Sequence, residues 1–390
     1  MTVVFPMNNH AANTNHRLPR LAITMGDPAG VGPEIISAAW QSQRLHDACQ
    51  PVVIGSAATM RKAVALRCPN AVQVVHAGDA TSIAELAAES SPDAMPVLAE
   101  SDAAASSPPD EAAEIQPGVV DPRAGRLAHQ AITTAGQLAI AGEVVAIVTA
   151  PIHKKSLREA GIDFPGHTEL FAQMCGVEEF AMMLYRPNGS SPAADGSAET
   201  DHDRVGERSP GLGVAHVTLH TALRDIFPIL TTAAIVEKAK LLDEMLSTLH
   251  SGVSARPRIG IAALNPHGGE AGLFGQEEIE IIAPAVEAAR AAGLNVQGPV
   301  PADTLFRQAA AGTYEGVVAM YHDQGHIALK LLGMHDIVNV TLGLPIVRTS
   351  VAHGTAFDIA WQGKAAPDSL LQAIDVAAKL AQARLPQQSG

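Results

Sequence analysis

The chain has 390 residues, 47% of them hydrophobic and only 3% aromatic, with a formal charge of −14. That length allows roughly two to three domains, with cores built from Ala, Val, Leu and Ile. The charge argues against nucleic acid or an anionic membrane surface as the main partner, and no apolar run approaches a membrane span.

Residues 1–18 lack the charged and apolar regions of a signal peptide and read as a disordered tail. Short β-rich runs then alternate with amphipathic helical patterns. Strands are expected at 21–26, 51–55, 72–77, 144–149, 213–219, 258–264, 316–321 and 337–342. Helices are expected at 33–43, 121–141, 168–175, 231–250, 276–292, 302–311 and 368–384. The alternation predicts a largely parallel sheet covered by helices, an α/β fold. Runs such as VVAIVTA and RIGIAAL are apolar throughout, as strands buried on both faces must be. Residues 90–116 and 188–212 break the pattern with Ala, Ser, Pro, Gly and acids, and read as mobile surface insertions. Cys49, Cys68 and Cys175 form no CxxC pair. They fit unpaired thiols in a reducing cytoplasm better than a disulfide framework or a thiolate metal site.

Chemistry concentrates where strands end, the edge at which α/β sheets bind ligands. GDPAGVGPEI, 26–35, joins a strand to a helix but fits neither GxGxxG nor GxxxxGK[ST]. It is either an anion-friendly helix start or a tight turn. In FPGHTELF, 164–171, His167 and Thr168 either cap a helix or contact a substrate hydroxyl or carboxylate. His220, His267 and His322 each follow an apolar strand-like run. Three converging imidazoles are the ligand set of a catalytic divalent ion with an open position. The loop 265–278 packs Asn265, His267 and Glu270 beside Gly268 and Gly269, glycines that allow close approach of a ligand. After YHDQGH come Lys330, Asn339 and Arg348, at nine-residue intervals. They suit a phosphate or carboxylate, Arg through its fork and Lys as a point charge.

Taken together, GDPAGVGPEI, TAPIHK, PGHTE, HxxLRD, LNPHxGE, PADTLF, YHDQGH and VTLGLPIVRTSVxHGTAFD resemble the 4-hydroxythreonine-4-phosphate dehydrogenase family over about residues 21–365. The resemblance implies a two-domain fold like that of isocitrate and isopropylmalate dehydrogenases, without a Rossmann fingerprint. It divides the chain into 19–130 plus 303–390 and 131–302, the second carrying a homodimer interface at which the site lies. It implies His220, His267 and His322 as ligands of Zn, Mg or Co. Substrate contacts are then His167, Thr168, Lys330, Asn339 and Arg348, and NAD or NADP is the oxidant, with no residues assigned to it. The implied reaction oxidises and decarboxylates 4-phosphohydroxy-L-threonine to 3-amino-2-oxopropyl phosphate, a pyridoxal phosphate precursor. Lys330 and Asp323 are both candidates for the base.

Three departures point toward a paralogous branch. Ala352 precedes His353 where the family commonly has an acid, GHIALKLLG differs from the biosynthetic form, and HTALRD lacks the usual proline. Such branches act on 4-phospho-D-threonate or 4-phospho-D-erythronate, or on a dihydrodiol dicarboxylate derived from terephthalate. A non-catalytic binding protein on the same scaffold would be expected to lack a ligand or anion anchor, and all are present here.

Overall fold

The computed structural model describes residues 18–76, 82–99, 115–164, 166–188, 211–251, 255–333 and 336–385. The expected tail and most of the two expected insertions lie outside these.

In chain order the first elements are β1 (Arg20–Thr24), α1 (Gly32–Trp40), α2 (Gln43–Ala48), β2 (Gln50–Ile54), α3 (Ala57–Arg67), β3 (Gln73–His76), α4 (Ile83–Ala88) and β4 (Ala94–Leu98). Next come α5 (Pro122–Ile140), β5 (Ala146–Thr149), α6 (Lys154–Glu159), α7 (His167–Cys175), β6 (Ala181–Arg186), β7 (Leu212–His216), α8 (Thr232–Leu249) and β8 (Ile259–Ala262). The chain continues with α9 (Ala283–Ala291), β9 (Val296–Val300), α10 (Ala302–Ala310), β10 (Gly316–Ala319), α11 (His322–Leu331), β11 (Val338–Leu342), β12 (Val347–Val351) and α12 (Asp368–Arg384).

One sheet of twelve strands, in the order β3-β4-β2-β1-β5-β12-β11-β6-β7-β10-β8-β9, spans the described residues. The strands from β3 to β12 are mutually parallel. Those from β7 to β9 are parallel as well. Between the blocks, β11 runs antiparallel to β12 and β6, and β6 antiparallel to β7. Three reversals make the two blocks run in opposite directions.

The α/β expectation is met, with two corrections. Residues 94–98 are a strand of the sheet with Met95 and Val97 fully buried, not part of a surface insertion. β5 belongs to the first block and β10 to the second, so the sheet does not divide at 130/131 and 302/303.

Continuous apolar strands force helices onto both faces. α12 supplies Leu370, Ile374, Ala377 and Ala381 to the largest core, all fully buried. Alanines and glycines set close spacing. At Gly125 of α5 a Cβ would come within 2.2 Å of the Ser156 carbonyl oxygen, so α5 packs on α6 only because no side chain intervenes.

Candidate active site

The GDPAGVGPEI segment is a packing junction. Residues 26–35 are all buried. The Val31 amide donates to the Thr355 carbonyl and the Asp27 amide to the Pro151 carbonyl. A Cβ at Gly26, where φ is +74°, would meet the Pro151 oxygen at 2.4 Å. The loop therefore ties together the segments leaving β1, β5 and β12, and the tight-turn reading holds over the anion-binding one. Asp27 sits inside this junction, its carboxyl pushed up chiefly by burial.

The three expected ligand histidines leave neighbouring strands. His220 follows β7, His322 follows β10 and His267 follows β8, and the sheet order there is β7-β10-β8. His220 and His322 stand together, ring centroids 5.7 Å apart. They line a cavity of about 250 Å³ with Leu219, Thr221, Leu223, Tyr321 and Asp323. Burial, then Lys154 and His322, lowers the pKa of His220 and keeps its ring neutral. His267 is exposed at the next exit and does not join the pair. Among the described residues no three His, Cys, Asp or Glu side chains are gathered to hold an ion.

The backbone around His267 is unusual. Residues 267–271 all have positive φ, including 53° at His267, 45° at Glu270 and 55° at Ala271. For residues with a Cβ the left-handed region costs roughly 1–2 kcal/mol each. Glu278 offsets part of that cost. Its Oε1 accepts the Leu264 and Asn265 amides and its Oε2 accepts Asn265 Nδ2 at 2.9 Å. Burial opposes ionisation of Glu278, but the Asn265 and Leu264 hydrogen bonds prevail and hold its pKa below normal. A strained loop that its surroundings over-determine is typical of ligand sites.

The YHDQGH segment is held by contacts at each position from His322 to His326. Asp323 Oδ1 lies 2.6 Å from His322 Nδ1, leaving the Nε2 lone pair of His322 for a ligand. Gln324 clamps two strand exits, accepting the Met320 amide at 2.7 Å and donating to the Ala263 carbonyl at 2.7 Å. Gly325 sits on His216, where a Cβ would be 2.4 Å from Nε2. His326 stacks on His322 with centroids 3.7 Å apart and planes inclined by 13°.

A second group lies on α7 and on one face of β11 and β12. Arg348 is 2% exposed. Its Nη2 donates to Thr149 Oγ1 at 2.7 Å, and its Nη1 to Thr341 Oγ1 at 3.1 Å and Thr168 Oγ1 at 3.5 Å. Its Nε has no partner, and no carboxylate hydrogen-bonds it among the described residues. Burial presses the guanidinium down to about 9, still charged at neutral pH, with Glu169 acting the other way. His167 Nε2 is buried and unpaired, and burial, then Arg348, holds that ring neutral. Among the described residues this buried cation is hydrogen-bonded only to hydroxyls and lies beside a neutral ring, an arrangement with capacity for an added anion.

Neither His167 nor Thr168 caps α7. The N-cap is Gly166, and both residues lie inside the first turn, which turns Thr168 toward Arg348. Asn339 shares the β11 face with Thr341, and its buried Oδ1 is also unpaired. Lys330 lies in the last turn of α11, about 12 Å along the axis from His322. It is near enough to His326 to act on it electrostatically. Glu169 lies within electrostatic reach of both His220 and Arg348, so α7 stands between the two groups. The partners Thr149, Thr341 and Glu278 were not anticipated. Thr149 and Thr341 show in the sequence only as hydroxyls inside or at the end of an apolar run, and Glu278 only as one acid among several in GQEEIE.

The pyridoxal phosphate biosynthetic protein PdxA family matches residues 47–377. A D-threonate 4-phosphate dehydrogenase of Pectobacterium atrosepticum is 43% identical over 361 residues, 93% of this chain and 99% of the relative. A 4-hydroxythreonine-4-phosphate dehydrogenase of Geobacter metallireducens is 40% identical over 94% of this chain and 96% of the relative. The crystal structure of a 4-hydroxythreonine-4-phosphate dehydrogenase from Klebsiella pneumoniae superimposes with a TM-score of 0.74 at 42% identity, covering 93% of this chain and 99% of that one. The chain is an oxidoreductase and belongs to the PdxA family.

Proposed function

We propose that the protein oxidises the C3 hydroxyl of a four-carbon acid phosphorylated at C4, with NAD or NADP as acceptor, and that the resulting β-keto acid loses CO₂. The observation that carries this reading is Arg348, a buried guanidinium with hydroxyl partners, an open Nε and the unpaired His167 Nε2 beside it. An anionic substrate group satisfies all three. The family as a whole suggests 4-phosphohydroxy-L-threonine, giving 3-amino-2-oxopropyl phosphate on the pyridoxal phosphate route. The motif departures and the 43% identical relative favour 4-phospho-D-threonate.

The donor chemistry at the histidine end fits a divalent ion such as Zn, Mg or Co. His220 offers a neutral imidazole, His322 offers the ring nitrogen that its Asp323 contact leaves open, and His267, exposed at the adjacent strand exit, would be the third donor. A divalent ion held there supplies Lewis acidity, and NAD(P) supplies the oxidant. Arg348, Thr168 and His167 bind and orient the anionic end, with Asn339 alongside. Lys330 and Asp323 both stay candidates for the base that takes the hydroxyl proton, Asp323 being engaged by His322 and Lys330 lying about 12 Å along α11 from it.

Leu223, which lines the histidine cavity, is 63% exposed, and Leu273 and Leu331 elsewhere on the surface are 74% and 82% exposed. Exposed leucines of this kind suit contact with a second copy of the chain, as in the homodimer expected from the family resemblance.

The test is NAD(P)H formation with 4-phosphohydroxy-L-threonine, 4-phospho-D-threonate and 4-phospho-D-erythronate in parallel, by protein supplied with a divalent metal. Turnover of any one supports the reading, and the preferred substrate assigns the branch. No turnover of the three, with turnover of an unphosphorylated hydroxy acid, removes the phosphate role from Arg348.

A further inference from the structure

Behind His322 lies a pair of rings that the proposed chemistry does not use. His216, the last residue of β7, is 1% exposed, and its Nε2 lies 3.1 Å from His326 Nδ1. That same His326 nitrogen lies 3.2 Å from the His322 carbonyl oxygen. A carbonyl only accepts, so His326 Nδ1 carries the proton and His216 Nε2 receives it. His216 then bears its own proton on Nδ1, toward β6. His326 is thus anchored on one side by the strand beneath it, and its flat face lies against His322 at 3.7 Å. Gly325 is what allows this. With any side chain there, α11 would be lifted off His216 and the stack with it.

A buried imidazole pair at the end of an otherwise apolar strand is costly without a purpose, since two leucines would fill the same space. We propose that His216 and His326 are positioning residues. They hold the plane of the His322 ring so that its Nδ1 stays on Asp323 and its Nε2 stays aimed into the cavity. Among the described residues the His322 side chain has only the Asp323 hydrogen bond to orient it, on a carboxylate whose side chain is 70% exposed. Without the stack the ring is free to turn about its side-chain torsions and to exchange tautomers. The proposal rests on the reading of His322 as a donor to a divalent ion.

The test uses the full chain and Co²⁺ as probe, with the parent, His322→Ala, His326→Asn and the double variant His216→Leu/His326→Leu. The double variant removes both rings together, so no buried polar atom is left unpaired, and it is expected to melt within a few degrees of the parent. Co²⁺ affinity, read by equilibrium dialysis and by the visible absorption of the bound ion, is expected to fall about 10- to 100-fold in His326→Asn and in the double variant, the range for groups that orient a ligand. The Michaelis constant for substrate is expected to change less than kcat. Imidazole ¹⁵N shifts of His322 at pH 8 without metal supply an independent readout. The parent should show one tautomer, protonated on Nδ1, and the double variant a mixture. Parent-like Co²⁺ affinity together with parent-like ¹⁵N shifts in the double variant overturns the proposal and makes the pair core filling. If His322→Ala binds Co²⁺ as the parent does, the metal reading fails instead. The ¹⁵N shifts then decide alone, a mixture upholding the positioning role and a single tautomer overturning it.

Discussion

Replacing Arg348 by Met separates the anion-receptor reading from a structural one. The side chain is 2% exposed, and its hydrogen bonds at 2.7 and 3.1 Å go to threonine hydroxyls. Hydrogen bonds to a charged group contribute about 1.5–3 kcal/mol each. Burying an uncompensated guanidinium costs several kcal/mol in return. The two roughly cancel, and the freed hydroxyls keep neighbours, since Thr168 and Thr341 lie 3.4 Å apart and Thr149 lies 3.4 Å from the Thr349 carbonyl oxygen. Stability of the ligand-free protein should therefore change by no more than about 1.5 kcal/mol. Substrate affinity should suffer far more. Truncating one side of a buried charge pair costs about 2–5 kcal/mol, or roughly 30- to 5,000-fold in kcat/KM at 1.36 kcal/mol per decade. Arg348→Lys keeps the charge without the fork and should fall between. Urea unfolding and steady-state kinetics on the same preparations decide. A loss of more than about 3 kcal/mol of stability with kcat/KM unchanged would refute the argument and make Arg348 a structural strut.

Three further outcomes are expected. Asp323→Asn should lower divalent-metal affinity by about 10- to 100-fold, read by titration calorimetry, because its amide no longer favours a protonated His322 Nδ1; an unchanged affinity would free Asp323 for the role of base. The neutral, buried His167 ring gives a pH dependence of definite sign: below about pH 6.5 the unfolded chain takes up a proton that the folded ring does not, so stability is lost as the pH is lowered, by up to about 1.4 kcal/mol per unit from this group. Urea midpoints at pH 7.5 and 5.5 should therefore differ less in His167→Asn than in the parent. Leu331→Glu, at a position 82% exposed, should leave the fold intact and shift sedimentation toward monomer with loss of activity if this exposed leucine is a subunit contact.

How much of this was legible in the sequence depended on what fixed each element. The apolar runs that became β1, β2, β5, β8 and β10 announce themselves because strands buried on both faces are apolar along most of their length. β12 does not, since Val347–Val351 reads VRTSV and its arginine and hydroxyls are buried only because Thr149, Thr341 and Ala373 receive them. β4 has a proline within AMPVL and borders an Ala/Ser/Pro tract, and β9 places Gly298 and Pro299 inside an edge strand. Both read locally as loop. In the site, the residue types at the strand exits pointed to His220, His322 and Arg348. Their neighbours did not follow, because the order β7-β10-β8 and the reversed seam at β11 and β6 are set by packing across the whole sheet. For the same reason nothing in the sequence signalled that His267 sits on a strained, exposed turn at the exit of the neighbouring strand.

The central claim is oxidation coupled to loss of the carboxyl group of a 4-phosphorylated acid. Following NAD(P)H and CO₂ together, with the preferred phosphorylated acid and its dephosphorylated counterpart, tests it most directly. The account predicts one CO₂ per NAD(P)H and a kcat/KM for the dephosphorylated acid lower by at least the factor lost in Arg348→Met. Reduced cofactor without CO₂, or equal turnover of both acids, would contradict it.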